Sequence, residues 1–168
     1  MGLTEFPKLS GKVPFLEALD LSNNKLKGRV PNWLHDTNSS ENMVKQRYEL
    51  PEVSCSTTSL DFLDLSDCVF QGSIPPFFSN LTHLTSLDLS YNNLNGPIPP
   101  SFFNLTHLTS LDLSGINLNG SIPSSLLTLP RLNFLKLQNN QLSGQIPDVF
   151  PQSNSFHELD LSDNKIEA

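Results

Sequence analysis

One frame restarts in this chain at a fixed interval, and no other feature of the sequence constrains the fold as tightly. It begins at Leu60, Leu84, Leu108, Leu132 and Phe156, a step of 24 residues each time. Its clearest copy, Leu84 to Pro99, reads L-T-S-L-D-L-S-Y-N-N-L-N-G-P-I-P, and residues 80–90 recur letter for letter at 104–114. A unit this short cannot bury its apolar side alone, so such units stack. In Leu87-Asp88-Leu89 the leucines alternate with a polar residue, the period-2 pattern of a strand with one buried face. Asp88 and Ser90 are then expected on the outer face. Asn92 follows at the turn, where an inward amide can serve the backbone of adjacent coils. Leu94 extends the core, Gly96 permits an unusual backbone conformation, and Pro99 removes a donor where regular pairing ends. Phe102, Phe103 and Leu105 are expected to fill the far side.

Written as L-x-x-L-x-L-x-x-N-x-L-x-G-x-I-P, the unit resembles a leucine-rich repeat. The predicted fold is an α/β solenoid. It is a right-handed superhelix with a parallel β-sheet on the concave face and loops or 3-10 turns on the convex face. The ending L-x-G-x-I-P is narrower. It resembles the plant extracellular type found in leucine-rich repeat receptor kinases and kinase-less receptor-like proteins. Leu3-Thr4-Glu5-Phe6-Pro7, the run Leu16 to Lys25 and Val30-Pro31-Asn32-Trp33-Leu34 look most like the receptor-like proteins of the disease-resistance group. The resemblance implies an ectodomain that binds on its concave or lateral surface. It supplies no ligand.

The frame predicts one repeat domain over residues 1–168. Residues 1–15 read as the tail of a partial repeat, and 16–34 as the first repeat. Residues 35–59 read as an irregular lapsed repeat or a short island loop, with 35–49 polar and aperiodic. Residues 60–168 read as regular repeats, the last truncated. The amino terminus lacks the basic stretch and apolar run of a signal peptide, and no apolar run reaches the ~18–20 residues of a membrane helix. The expectation is a piece of a longer receptor-like protein whose parent lies at the extracellular face of the plasma membrane or in the apoplast.

The formal net charge of −7 argues against nucleic acid or an anionic membrane as partner. Four N-x-S/T sequons, at Asn38, Asn80, Asn104 and Asn119, are candidate glycosylation sites. The last three are expected off the strand cores. Cys68 stands where the frame places Asn. It reads either as a buried thiol or as the partner of Cys55 in a disulfide. The inward ladder is Asn24, Cys68, Asn92, Ile116, Asn140 and Asn164.

No nucleophile elbow, phosphate loop, kinase signature or metal-ligand spacing is present, so the chain reads as a non-enzyme without cofactor. His83 and His107 share one repeat position and read as structural. Function is expected on the outward strand positions. There Asp20, Asp64, Asp88, Asp112, Lys136 and Asp160 form one column, beside Ser22, Ser66, Ser90, Ser114, Gln138 and Ser162. Strands lie ~4.8 Å apart, so adjacent carboxylates repel by about 0.9 kcal/mol in water. Phe62, Tyr91, Phe134 and Lys136 break the internal consensus and are the hot-spot candidates. With Asp64, Asp88 and Asp112 they make the candidate ligand face. Three roles compete: a recognition module for a peptide or protein ligand, a docking solenoid for a co-receptor kinase, and a truncated decoy.

Overall fold

The computed structural model describes residues 2–7, 16–30, 60–149 and 156–167. The coils stack in chain order as a leucine-rich repeat solenoid. Its concave sheet has six parallel strands: β1 (Ala18–Asp20), β3 (Phe62–Asp64), β5 (Ser86–Asp88), β7 (Ser110–Asp112), β9 (Phe134–Lys136) and β11 (Glu158–Asp160). Equivalent frame positions pair in register, so Leu63, Leu87, Leu111 and Leu135 face one another strand to strand. These leucines are fully buried, and with Leu65, Leu89, Leu113 and Leu137 they form one continuous core.

β1 pairs directly with β3, with Leu19 beside Leu63, so the coils that begin at Leu16 and Leu60 are neighbours in the sheet. The expected lapsed repeat or island at 35–59 lies outside the described residues. So do 8–15, Asn38 and Cys55.

A second parallel sheet is the main departure from the expected architecture. The residues after each ladder position pair as β2 (Lys27–Gly28), β4 (Val69–Ser73), β6 (Asn93–Gly96), β8 (Asn117–Gly120), β10 (Gln141–Gln145) and β12 (Lys165–Glu167). The physical cause is the inward pull of Phe70, Leu94, Leu118 and Leu142. It flattens the segment and brings its backbone groups within reach of the next coil. Asn119 therefore lies within a strand, exposed, rather than off one. Asn80 and Asn104 end the 3-10 turns 76–80 and 100–104 and are exposed. In the following coil the same segment makes one α-helical turn, Ser124–Leu127.

The far side takes both Phe77 and Phe78 in one coil and a single phenylalanine, Phe102, in the next. Phe78 and Phe102 are buried, and Leu126 takes the place in the next coil, whereas Phe103 is 55% exposed. The expectation that Phe103 fills the interior is corrected: its ring lies on the outer side of the 3-10 turn, although its frame equivalents Ser79 and Leu127 are buried.

The ladder works as the side chains require. Asn92 Nδ2 donates to Leu65 O at 2.8 Å and Leu89 O at 3.0 Å, while its Oδ1 accepts from Phe70 N at 3.1 Å. Asn140 and Asn164 repeat this bridge one coil to the next. Cys68 is a free, buried thiol whose Sγ donates to Leu21 O at 3.3 Å. Burial holds its pKa above the ordinary value, against the N–H groups of Asn24 and Leu26 that point at the sulfur. It thus stands in for the ladder amide. Ile116 is buried and has no polar atom, so the frame's bridge between Leu89 O and Leu94 N is missing at that one coil.

Candidate ligand-binding face

The concave sheet carries its outward side chains in two columns set by the strand register. Ala18, Phe62, Ser86, Ser110, Phe134 and Glu158 form the first; Asp20, Asp64, Asp88, Asp112, Lys136 and Asp160 form the second. Phe62 is 37% exposed and Phe134 40% exposed, with small serines between them in the same column. The candidate residues Phe62, Phe134, Asp64, Asp88, Asp112 and Lys136 therefore do share one face.

The Asp column has a structural task that its spacing alone does not reveal. Asp64 Oδ1 accepts from Ser66 N, Asp88 Oδ1 from Ser90 N, and Asp112 Oδ1 from Ser114 N, all at 2.8–2.9 Å. The carboxylate closes a turn on the residue two ahead, a habit of aspartate at strand ends. The serine column is consequently drawn in. Ser90 and Ser114 are buried, which corrects the expectation that they line the outer surface. At the fourth regular coil Lys136 replaces the aspartate and Gln138 the serine, so this turn lacks its carboxylate cap. Gln138 Oε1 is buried without a partner among the described residues.

Asp88 sits mid-column. Burial holds its carboxyl above the ordinary value of 3.8. The hydrogen bonds from Ser90 oppose this, and the charges of Asp112 and Asp64 reinforce it. A raised folded-state pKa means that the ionised form is disfavoured by folding. That penalty is present above the raised value and is relieved as pH falls through it toward 3.8. Asp88→Asn keeps an acceptor for Ser90 N and removes the charge, so stability at pH 7 should hold or rise. Asp88→Ala strands a buried N–H and should cost about 1–3 kcal/mol. Urea unfolding of the wild type and both variants at pH 7 and at pH 3.8 checks this. The wild type should close its gap to the asparagine variant at the lower pH.

Lys136 is the single cation of the two columns, as its place in the sequence implied, but it is paired. Its ammonium lies 3.6 Å from Glu158 on the adjacent strand, a half-exposed pair of the kind worth about 0–1 kcal/mol. Beside it the rings of Phe134 and His157 stack at 5.5 Å and 20°. His157 and Glu158 thus belong to the face, although neither breaks the frame conspicuously.

Tyr91 adopts φ +54°, in the left-handed region. Asn23, Asp67, Asn139 and Asp163 share that conformation at the same frame position, but they are residue types that tolerate it, whereas a bulky ring does not. The Tyr91 ring is 58% exposed and lies over Gly115 of the next coil, where an added Cβ would come 2.7 Å from ring atom Cδ1. Gly115 is therefore the seat of Tyr91. Its sequence signal is a second departure from the frame, one coil on, at the same position.

Comparison with known proteins fits this geometry. Profiles described as leucine-rich repeat match residues 15–36, 58–118, 131–153 and 152–168. The chain belongs to the leucine-rich repeat family. Within it, Receptor-like protein 53 of Arabidopsis thaliana is 38% identical over 107 residues, 48% of this chain and 11% of that protein. Receptor-like protein 32 of the same plant is 37% identical over 113 residues, 48% of this chain and 13% of that one. The chain thus spans about a tenth of the length of these curated relatives. The solved plant peptide hormone receptor RGFR1 in complex with RGF2 superposes with a TM-score of 0.79 at 31% identity, covering 96% of this chain and 23% of that one. The Arabidopsis receptor kinase HAESA, in complex with the peptide hormone IDA and the co-receptor SERK1, gives 0.78 at 31%, covering 96% and 24%. The BIR3–SERK2 complex from Arabidopsis thaliana gives 0.69 at 35%, covering 89% of this chain and 69% of that one. Repeats of plant receptor-like protein type, on a receptor-ectodomain fold, define what the chain is.

Proposed function

We propose that this chain is a non-enzymatic recognition module of a plant receptor-like protein. It binds an extended peptide or a protein partner on its concave sheet, in immune or developmental signalling at the extracellular face of the membrane. The observation that carries the reading is Tyr91. The ring is more than half exposed and held in a conformation costly for its residue type over a glycine of the next coil, and such strain collects at functional positions. Phe62 and Phe134 add exposed aromatic surface on a sheet otherwise lined by serine and aspartate, the composition of an anchor-and-rim interface. The structurally similar receptors that carry peptide hormones support the same reading. Among the described sequons, Asn80 and Asn104 lie at the ends of the 3-10 turns and Asn119 in the second sheet. Glycans there would leave the concave sheet open.

Similarity to the BIR3–SERK2 complex, 69% of whose matched chain is covered, favours a second reading, docking to a co-receptor kinase ectodomain without ligand. A binding screen against secreted peptides and co-receptor ectodomains separates the two. Under the first reading, Phe134→Ala and Tyr91→Asn each weaken peptide binding by about 1–2 kcal/mol. Tyr91→Asn should at the same time stabilise the fold by about 1 kcal/mol, because asparagine accepts the left-handed turn. Unchanged affinity in both variants, with loss on substitution within 35–49, would move the binding site away from the sheet.

A further inference from the structure

Resting on the concave sheet as the peptide-binding face, we propose that the turn after β9 is a subsite for a side-chain carboxamide, the asparagine of a bound peptide. The equivalent turns of the other coils show what such a turn requires. Asp20, Asp64, Asp88, Asp112 and Asp160 each accept the backbone N–H two residues ahead, at 2.8–3.0 Å. In the coil of β9 the aspartate is replaced by Lys136, and a lysine carries no acceptor. The backbone N–H of Gln138 has no partner among the described residues. The side-chain Oε1 of the same residue is buried and has no partner there either. This turn thus keeps an unmet donor and an unmet acceptor on one residue, whereas polar groups in folded proteins are as a rule paired.

The charges around the turn decide which acceptor fits it. Lys136 stands between Asp112 and Asp160 in the strand register, and its ammonium is drawn toward Glu158 at 3.6 Å. Three carboxylates around one ammonium disfavour the entry of a fourth. A carboxamide brings the same oxygen to the Gln138 N–H without a charge. Its NH2 group donates to a flanking carboxylate, or to Gln138 Oε1 once that half-buried side chain turns toward it. Asparagine and aspartate close turns of this kind alike, so the ligand side chain takes the place that the chain's own aspartate holds in the other coils. Phe134 sets the rest of the pattern. It lies two residues before Lys136 on the same face and is 40% exposed, with its ring stacked on His157. Residues two apart in an extended peptide also point to one side, so a ligand lying along β9 matches this pair with an apolar residue two positions from its asparagine.

The test uses the 168-residue chain and three capped pentapeptides: acetyl-Leu-Gly-Asn-Gly-Leu-amide and the same peptide with aspartate or alanine for asparagine. Backbone NMR shifts report where and how tightly each binds. The asparagine peptide should shift the Gln138 amide most, as its N–H gains an acceptor, and should bind about fivefold tighter or more than either control. Lys136→Asn supplies the same acceptor from within the chain. That variant should unfold at no lower urea than the wild type, and it should erase the preference for the asparagine peptide. Equal or tighter binding of the aspartate or alanine peptide on the same sheet would overturn the carboxamide subsite and leave the concave reading standing. So would an asparagine preference that survives intact in Lys136→Asn. No shift at Gln138 with any peptide would overturn the subsite, and shifts confined to residues off the sheet would overturn the concave reading with it.

Discussion

Asn140→Ala should unfold at markedly lower urea, with a loss of about 3–5 kcal/mol, estimated from ~1–3 kcal/mol per buried group left unpaired. Asn140 Nδ2 donates to Leu113 O at 2.8 Å and Leu137 O at 3.0 Å, and Oδ1 accepts from Leu118 N at 3.0 Å. Alanine strands a donor and an acceptor between two coils at once, where water does not reach. Neighbour coupling holds a repeat array together, so the transition should also broaden as the coils on either side uncouple. Asn24→Ala should cost less, because its partner Leu3 N lies in an exposed segment. The complementary change is Ile116→Asn. It restores the bridge that Leu89 O and Leu94 N lack and should be neutral or stabilising. A loss above about 1 kcal/mol would mean that packing around Ile116 has adapted to the apolar side chain. A loss below about 1 kcal/mol for Asn140→Ala would mean that the stranded groups find other partners, and the ladder would not be the element that couples coils.

Phe102→Ala and Phe103→Ala should differ by several kcal/mol although the residues are adjacent. Phe102 is 1% exposed and packs in the continuous core, so truncation removes a whole ring and leaves a cavity, at about 3–5 kcal/mol. Phe103 is 55% exposed, and its truncation should stay within about 0.5 kcal/mol. Comparable losses for both would show that Phe103 is covered in solution, and that the outer side of the 3-10 turns is a contact surface.

Neither the frame spacing nor the residue type makes that distinction readable. Counting 24 residues from Phe78 reaches Phe102 and then Leu126, all buried, but the same count through Phe103 joins Ser79 and Leu127, which are buried too. Reading the pair by residue type alone puts both rings inside. The leucine positions, the ladder and the parallel pairing, by contrast, were legible from the period. A fixed period sets equivalent residues side by side in a stack, and the apolar ones must then share one core.

What the repeat could not carry is everything that depends on what lies across from a residue rather than along the chain. The second sheet forms because buried leucines flatten the segment after the ladder, bringing its backbone to pairing distance. Ser90 and Ser114 are buried because Asp88 and Asp112 accept their N–H groups, a contact invisible in an alternating pattern that marks both as outward. Lys136 is paired because Glu158 begins the next strand 22 residues on and lies beside it. Tyr91 stands over Gly115 because the stacking brings two identical turns together, and only there does a missing Cβ make room for a ring. Sequence alone determined which residues stack, since periodicity is a property of the chain. The tertiary structure decided which of the outward residues are occupied in holding turns and which are free to meet a partner, since hydrogen bonds and packing across coils depend on distances that no period specifies.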